Sequence, residues 1–234
     1  MTLWEGPLLG FDTETTGVDE YEDRIVSWAL VLSERPGQYR DWGGIVNPGV
    51  PIPKGATEVH GITDEEAAKG MDPQTALAQI RDLIAHAASE RIPVVAFNAS
   101  YDLTLFNAEC VRHNILPLPR NFGPVLDPMV IDKGLDQYRK GKRTLLATAQ
   151  HYGVPLLATD AHGALPDAKG AVDICRAIGQ LPGADAATLQ GMFTQQQAWR
   201  KEQQESFQQY LDRQGKSPDR PIDTGWPFLN GMAG

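Results

Sequence analysis

Between Leu8 and Gly17 an apolar run, Leu8-Leu9-Gly10-Phe11, passes without a break into Asp12-Thr13-Glu14-Thr15-Thr16-Gly17. If the run is a strand, its side chains alternate between faces, so Asp12 and Glu14 point to the same side. Two like charges at the end of a buried strand repel and raise each other's pKa unless a cation sits between them. Hard divalent metals such as Mg²⁺ take oxygen ligands of this kind. Two readings are open at this point: a metal site, or a strand that ends in a solvated turn with one carboxylate capping the next segment. The rest of the chain decides between them, by supplying or withholding further carboxylates and a base.

Residues 24–33 (RIVSWALVLS) and 39–47 (YRDWGGIVN) read as two more strands rich in β-branched and aromatic residues. Three strands with short connections predict an antiparallel meander. A Pro-rich loop follows at 48–53. Thr63 and Glu66 then form a capping-box pattern before a short helix. Helical periodicity marks 72–88, 100–113, 144–152 and 167–181, and short apolar strands are predicted at 92–97 and 124–126. Asp127 stands where it would cap a helix that begins at Pro128. Strands first, then strand–helix alternation, then helices predict an α/β domain with a mixed sheet and a helical C-terminal extension.

Gln-rich stretches from 184 to 213 are interleaved with Leu189, Phe193, Trp199, Phe207, Tyr210 and Leu211. The aromatic spacing predicts one or two amphipathic helices with Gln on the wet side; a low-complexity tract is the competing reading. Trp226 and Phe228 are expected to dock the Pro/Gly-rich tail. Residues 1–183 are thus assigned to the main domain and 184–234 to an extension and tail packed on it. Cys110 and Cys175 are too few for a disulfide framework and fit buried thiols in a reducing, cytoplasmic compartment. Met1–Pro7 lacks a basic leader region, and no apolar run is long enough to span a membrane. The net charge of −9 argues against nonspecific coating of nucleic acid, but not against an enzyme that grips one strand end through bound metals.

Three further stretches bear on the metal. Asn98-Ala99-Ser100-Tyr101-Asp102 enters a helix, and Asp102 lies in its first turn, where the dipole alone would favour a carboxylate. Asp167 begins a helix whose inner face continues through Ala171, Ile174 and Ile178, so its charge wants a partner. His162 lies in a Gly-containing loop five residues earlier. Alone it reads as an idle surface histidine; beside Asp12, Glu14, Asp102 and Asp167 it can serve as a base. The run Tyr138-Arg139-Lys140-Gly141-Lys142-Arg143 is the only dense cationic segment of an acidic chain. Lys142 and Arg143, with Arg139, are candidate phosphate contacts, against the alternative of a solvated loop.

Taken together, Phe11-Asp12-Thr13-Glu14-Thr15-Thr16-Gly17, Asn98-x-x-Tyr101-Asp102 and His162-x₄-Asp167 resemble the three exonuclease motifs of the DnaQ-like family, in its DEDDh branch. Val59-His60-Gly61-Ile62-Thr63 matches a secondary signature of that family. The resemblance spans residues 8–181. One position departs: Phe97 stands where the second motif often begins with His. The resemblance implies a ribonuclease H-like fold with a mixed five-stranded sheet flanked by helices. It implies release of nucleoside 5′-monophosphates from a 3′ end of DNA, single-stranded or frayed, by two Mg²⁺ or Mn²⁺ ions. Asp12, Glu14, Asp102 and Asp167 would hold the ions, and His162 would act as general base. Thr15, His60 and Asn98 are implied contacts to the terminal nucleotide. An exoribonuclease that trims short RNA, and an inactive module that binds nucleic acid or a polymerase, are the alternatives. A DNA polymerase is a further expected partner.

Overall fold

The computed structural model describes residues 3–156, 163–181, 184 and 188–231. Three strands open the chain: β1 (Leu8–Thr15), β2 (Ile25–Arg35) and β3 (Gln38–Ile45). They pair antiparallel in sequence, as the meander requires. Two short strands, β4 (Val94–Val95) and β5 (Val125–Leu126), extend the sheet in parallel from the other side of β1. The sheet is therefore mixed and five-stranded, in the order β3-β2-β1-β4-β5.

The described helices are α1 (Lys54–His60), α2 (Asp64–Ala67), α3 (Pro73–Ser89), α4 (Ala99–Arg112), α5 (Pro128–Leu135), α6 (Leu145–Tyr152), α7 (Ala164–Ile178) and α8 (Leu189–Arg213). Thr63 and Glu66 form the expected capping box of α2, and Asp127 caps α5. Asp72, Thr144 and Thr188 cap α3, α6 and α8 through side-chain oxygens. Helix α1 was not visible in the sequence because it buries no residue, so no apolar period marks it. Helix α7 starts at Ala164 rather than Asp167, which places Asp167 inside the first turn.

Strand parity divides the core. Leu9 and Phe11 of β1 pack with Ile80 and Ile84 of α3 and with Leu103 and Phe106 of α4. Leu8 packs on the opposite face with Val172 and Cys175 of α7. The same alternation separates Val94 from Val95 and Val125 from Leu126. Fully burying side chains of this kind stabilises a fold by about 1.5–3 kcal/mol each.

Helix α8 is one continuous helix; Gln190, Gln195, Gln197 and Gln209 face water as expected, and the expectation is corrected at Gln196. Gln196 is 0% exposed. Its amide donates to the Val125 carbonyl (3.0 Å) and accepts from the Asp127 N–H (2.6 Å). Farther along, Gln203 donates to Val130 O, and Gln204 and Gln208 bond the tail at Asp223 and Ile222. Trp226 and Phe228 are buried, with Trp226 against Phe193 and Phe228 against Phe122. The boundary placed at residue 183 lies outside the described residues.

Candidate active site

The parity that sorts the core also sorts the carboxylates. Asp12 and Glu14 share the face of Leu8 and Gly10, which looks towards α7. Gly10 makes the approach of α7 possible: a Cβ there would lie 2.6 Å from the Ala168 carbonyl oxygen and 2.8 Å from Val172 Cγ2. With the helix that close, Asp167, one residue before Ala168, comes to the end of β1. Carboxylate oxygens of Asp12, Glu14 and Asp167 lie within 4.8 Å of one another.

Asp102 approaches from the other face. It is buried in the first turn of α4, and its Oδ1 accepts from the Thr13 N–H (3.1 Å) and from Thr13 Oγ1 (2.7 Å). Thr13 lies between Asp12 and Glu14 and points the opposite way, so β1 holds the cluster on one face and its neighbour Asp102 on the other. The structure thus brings three of the four expected carboxylates into one ligand group and sets Asp102 beside it.

The electrostatics match this crowding. Burial pushes Asp12 well above the usual carboxylate range, and Asp102, Asp167 and Glu14 add to the rise. Burial, then Asp167 and Asp102, raise Glu14 from 4.5 to about 7. Burial raises Asp102 to about 7, against the lowering effect of its Thr13 bonds. A group of hard oxygen donors that repel one another in the absence of a cation is suited to Mg²⁺ or Mn²⁺ and poorly suited to soft metals.

The cap expected of Asp127 on α5 is only half of its role, and the contact made by Arg200 was missed in the sequence. Asp127 is fully buried, and its carboxylate accepts from the N–H groups of Asn98 (3.1 Å) and Ala99 (2.9 Å) as well as from α5. One side chain therefore satisfies the start of two helices, including the one that carries Asp102. Asn98 itself adopts φ 66°, ψ 47°, a left-handed conformation that Asn tolerates. No local pattern announces a cap that reaches back 29 residues. Arg200 of α8 donates to Ser100 Oγ (3.1 Å) in the same first turn of α4.

Of the other implied nucleotide contacts, Thr15 has its hydroxyl taken up by the Gly17 carbonyl (2.6 Å) and the Tyr101 hydroxyl (2.7 Å). His60 is half-buried beside the Thr15 backbone, and burial lowers its pKa. Its Nδ1 accepts from the Ile62 N–H (3.0 Å), so the neutral ring carries its proton on Nε2. Phe97 packs into the core on the α7 side. His162 lies outside the described residues.

Arg143, a candidate phosphate contact, has its guanidinium engaged within the protein. Arg139 and Arg143 both turn inward onto Asp132, a fully buried carboxylate that also accepts from the Tyr152 hydroxyl (2.9 Å). Burial alone would raise Asp132; the bonds from Arg139, Tyr152 and Arg143 outweigh it and hold the carboxyl below its usual range. Lys142 remains exposed.

The sequence profile of the RNase T exonucleases matches residues 9–175. The chain belongs to this exonuclease family. A DNA polymerase III subunit epsilon-like protein of Rhodobacter capsulatus is 34% identical over 161 residues, covering 67% of this chain and 21% of the relative. A PolC-type DNA polymerase III of Streptococcus pneumoniae is 27% identical over 157 residues, 67% of this chain and 10% of the relative. The chain therefore spans only about a tenth to a fifth of the length of these relatives. Among solved structures, E. coli exonuclease I in a zinc-bound complex with single-stranded DNA superposes with TM-score 0.64 at 16% identity, over 77% of this chain and 42% of that one. Cell-death related nuclease 4 gives 0.61 at 16% identity, over 74% and 63%. The fold is theirs: a ribonuclease H-like mixed sheet flanked by helices. Among the described residues no helix is long and apolar enough to cross a membrane.

Proposed function

We propose that this family member removes nucleoside 5′-monophosphates from a 3′ end of DNA. The observation that carries the reading is the convergence of Asp12, Glu14 and Asp167 within 4.8 Å, from two separate segments of an exonuclease fold. The polymerase relatives favour DNA over RNA and a DNA polymerase as partner.

Asp12, Glu14 and Asp167, with Asp102 beside them, would hold two Mg²⁺ or Mn²⁺ ions. When bound, such ions supply positive charge against a phosphodiester and acidify water. The chain's own residues do the rest. Thr13 fixes the Asp102 carboxylate, and Asp127 fixes the turn that carries it. His162, five residues before Asp167, would accept the proton of the attacking water; an imidazole with an ordinary pKa of about 6.5 suits that work near neutrality. Thr15, His60 and Asn98 would contact the terminal nucleotide at the end of β1.

The test is mononucleotide analysis with added Mg²⁺ on single-stranded DNA, mismatched duplex and RNA. Release of 5′-monophosphates from DNA that stops in Asp12→Ala and Asp167→Ala supports the reading. Preferential attack on RNA would replace the substrate, and wild-type rates in either variant would eliminate the site.

A further inference from the structure

Helix α8 lies beyond the family segment, which ends at residue 175. It runs alongside β5, meeting Val125 at Gln196 and the first turn of α4 at Arg200. At 1.5 Å per residue, Phe207 lies about 10 Å and Arg213 about 20 Å farther along the axis. Over this distal half the tail covers one side through Gln204 and Gln208. The other side faces α5 across an open groove of about 390 Å³.

The groove wall has a specific composition. Phe207 and Tyr210 are 46% and 51% exposed, and their rings lie nearly parallel, 12° apart in plane with centroids 6.4 Å apart. Lys133 and Arg213 line the same groove; Glu202 is its one carboxylate among the described residues. Among those residues no carboxylate pairs with Lys133, while Arg143 and Arg200 lie near enough to add to its positive surroundings. Gln137 also lines the groove and leads straight into the basic run with exposed Lys140 and Lys142. Paired exposed aromatic faces interleaved with cations match the chemistry of single-stranded nucleic acid, whose bases stack while its phosphates meet the charges. An apolar peptide would have no use for the cations.

We propose that the α5–α8 groove is a second nucleic-acid subsite, which holds the single strand upstream of the 3′ end on Phe207, Tyr210, Lys133 and Arg213. The inference rests on the nuclease reading for its substrate and adds a length dependence. Strands long enough to reach the groove bind through it, and a trinucleotide uses the catalytic edge alone.

The experiment compares the full chain with Phe207→Ala/Tyr210→Ala and with Lys133→Gln, on unlabelled thymidine oligonucleotides of two lengths, a trimer and a long strand. Rates are read with Mg²⁺ and equilibrium binding with Ca²⁺. For the long strand the aromatic variant should raise KM and Kd by about 5- to 150-fold, the worth of a stacked base, with kcat unchanged. Neither value should change for the trimer. Lys133→Gln should flatten the log–log salt dependence of long-strand binding by about 0.7. If wild type binds the long strand, the variants lose that binding and no protein hydrolyses anything, the subsite stands and the nuclease reading falls. If wild type hydrolyses DNA and the variants keep its KM and Kd for the long strand, the subsite falls and the nuclease reading stands.

Discussion

In metal-free buffer the protein should become less stable as pH rises through neutrality, and a divalent cation should remove that loss. Burial and mutual repulsion raise Glu14 from 4.5 to about 7 and Asp102 from 3.8 to about 7. The folded state therefore holds protons that the unfolded chain has released by about pH 5. Stability falls with pH wherever the folded state binds more protons, so it declines from about pH 4, the unfolded carboxyl range, and levels off above about pH 8. At 1.36 kcal/mol per pKa unit, either group alone would cost about 3–4 kcal/mol if fully expressed. Glu14 is partly hydrated and the repulsion is shared, so we expect about 3 kcal/mol for the cluster, or a fall of about 6–12 °C in Tm for a chain of this size. The assay is thermal unfolding in EDTA across that pH range, repeated with Mg²⁺. Glu14→Gln or Asp12→Asn should raise the metal-free Tm at the alkaline end and abolish the response to Mg²⁺. A Tm in EDTA that is flat or climbs over the same range would refute the reasoning, because the carboxylates would then already be compensated within the protein.

His162→Ala should lower turnover by roughly 10²–10⁴-fold and leave the Mg²⁺-induced rise in Tm intact; loss of that rise would make His162 a ligand instead. Arg139→Met removes one of the two guanidiniums from buried Asp132, which keeps Arg143 and Tyr152, and should destabilise the protein by about 1.5–3 kcal/mol in denaturant titration. Lys142→Ala should leave stability unchanged and flatten the salt dependence of single-strand binding by about 0.7 in log–log slope; an unchanged slope would return that lysine to a solvated surface. Gly10→Ala inserts a methyl group 2.6 Å from the Ala168 carbonyl oxygen. It should push α7 from β1, cost roughly 1–3 kcal/mol and weaken Mg²⁺ binding, whereas Gly37→Ala at an open turn should spare metal affinity.

What the sequence disclosed depended on how local the cause was. The meander, the α2 capping box and the Asp12/Glu14 pairing each rest on a few adjacent residues, and each could be read directly. The offset of Asp102 follows from the same parity argument applied to Thr13, but only once α4 is known to lie on that face. The inward turn of Arg139 and Arg143 had a signal of its own: Asp132 sits in an apolar helical run, where a lone carboxylate demands a partner. Helix α1 had none, since it buries nothing. Gln196 of α8 misled for a different reason. An amide carries both a donor and an acceptor, so Gln196 can satisfy a strand carbonyl and a backbone N–H at once while fully buried. Composition marks such a residue as polar and cannot say whether it faces water or an unpaired backbone.

The burial of Gln196 changes how the edge of the sheet that carries the candidate site is held. β4 and β5 are two residues each, too short to fix the ends of the sheet by their own ladder. The chain closes this gap with side chains: Asp127 ties the starts of α4 and α5 together, Gln196 holds the Asp127 backbone, and Arg200 reaches Ser100 in the turn that carries Asp102. Burial raises Asp127, and its backbone bonds together with the charge of Arg200 oppose the rise. In a buried network of this kind each lost partner leaves a charge or an amide stranded in low dielectric. The family segment ends at residue 175, yet the turn that presents Asp102 is held by residues 196 and 200. Helix α8 is therefore part of the structure that positions the Asp102 turn, and it carries the aromatic groove outward from the same edge.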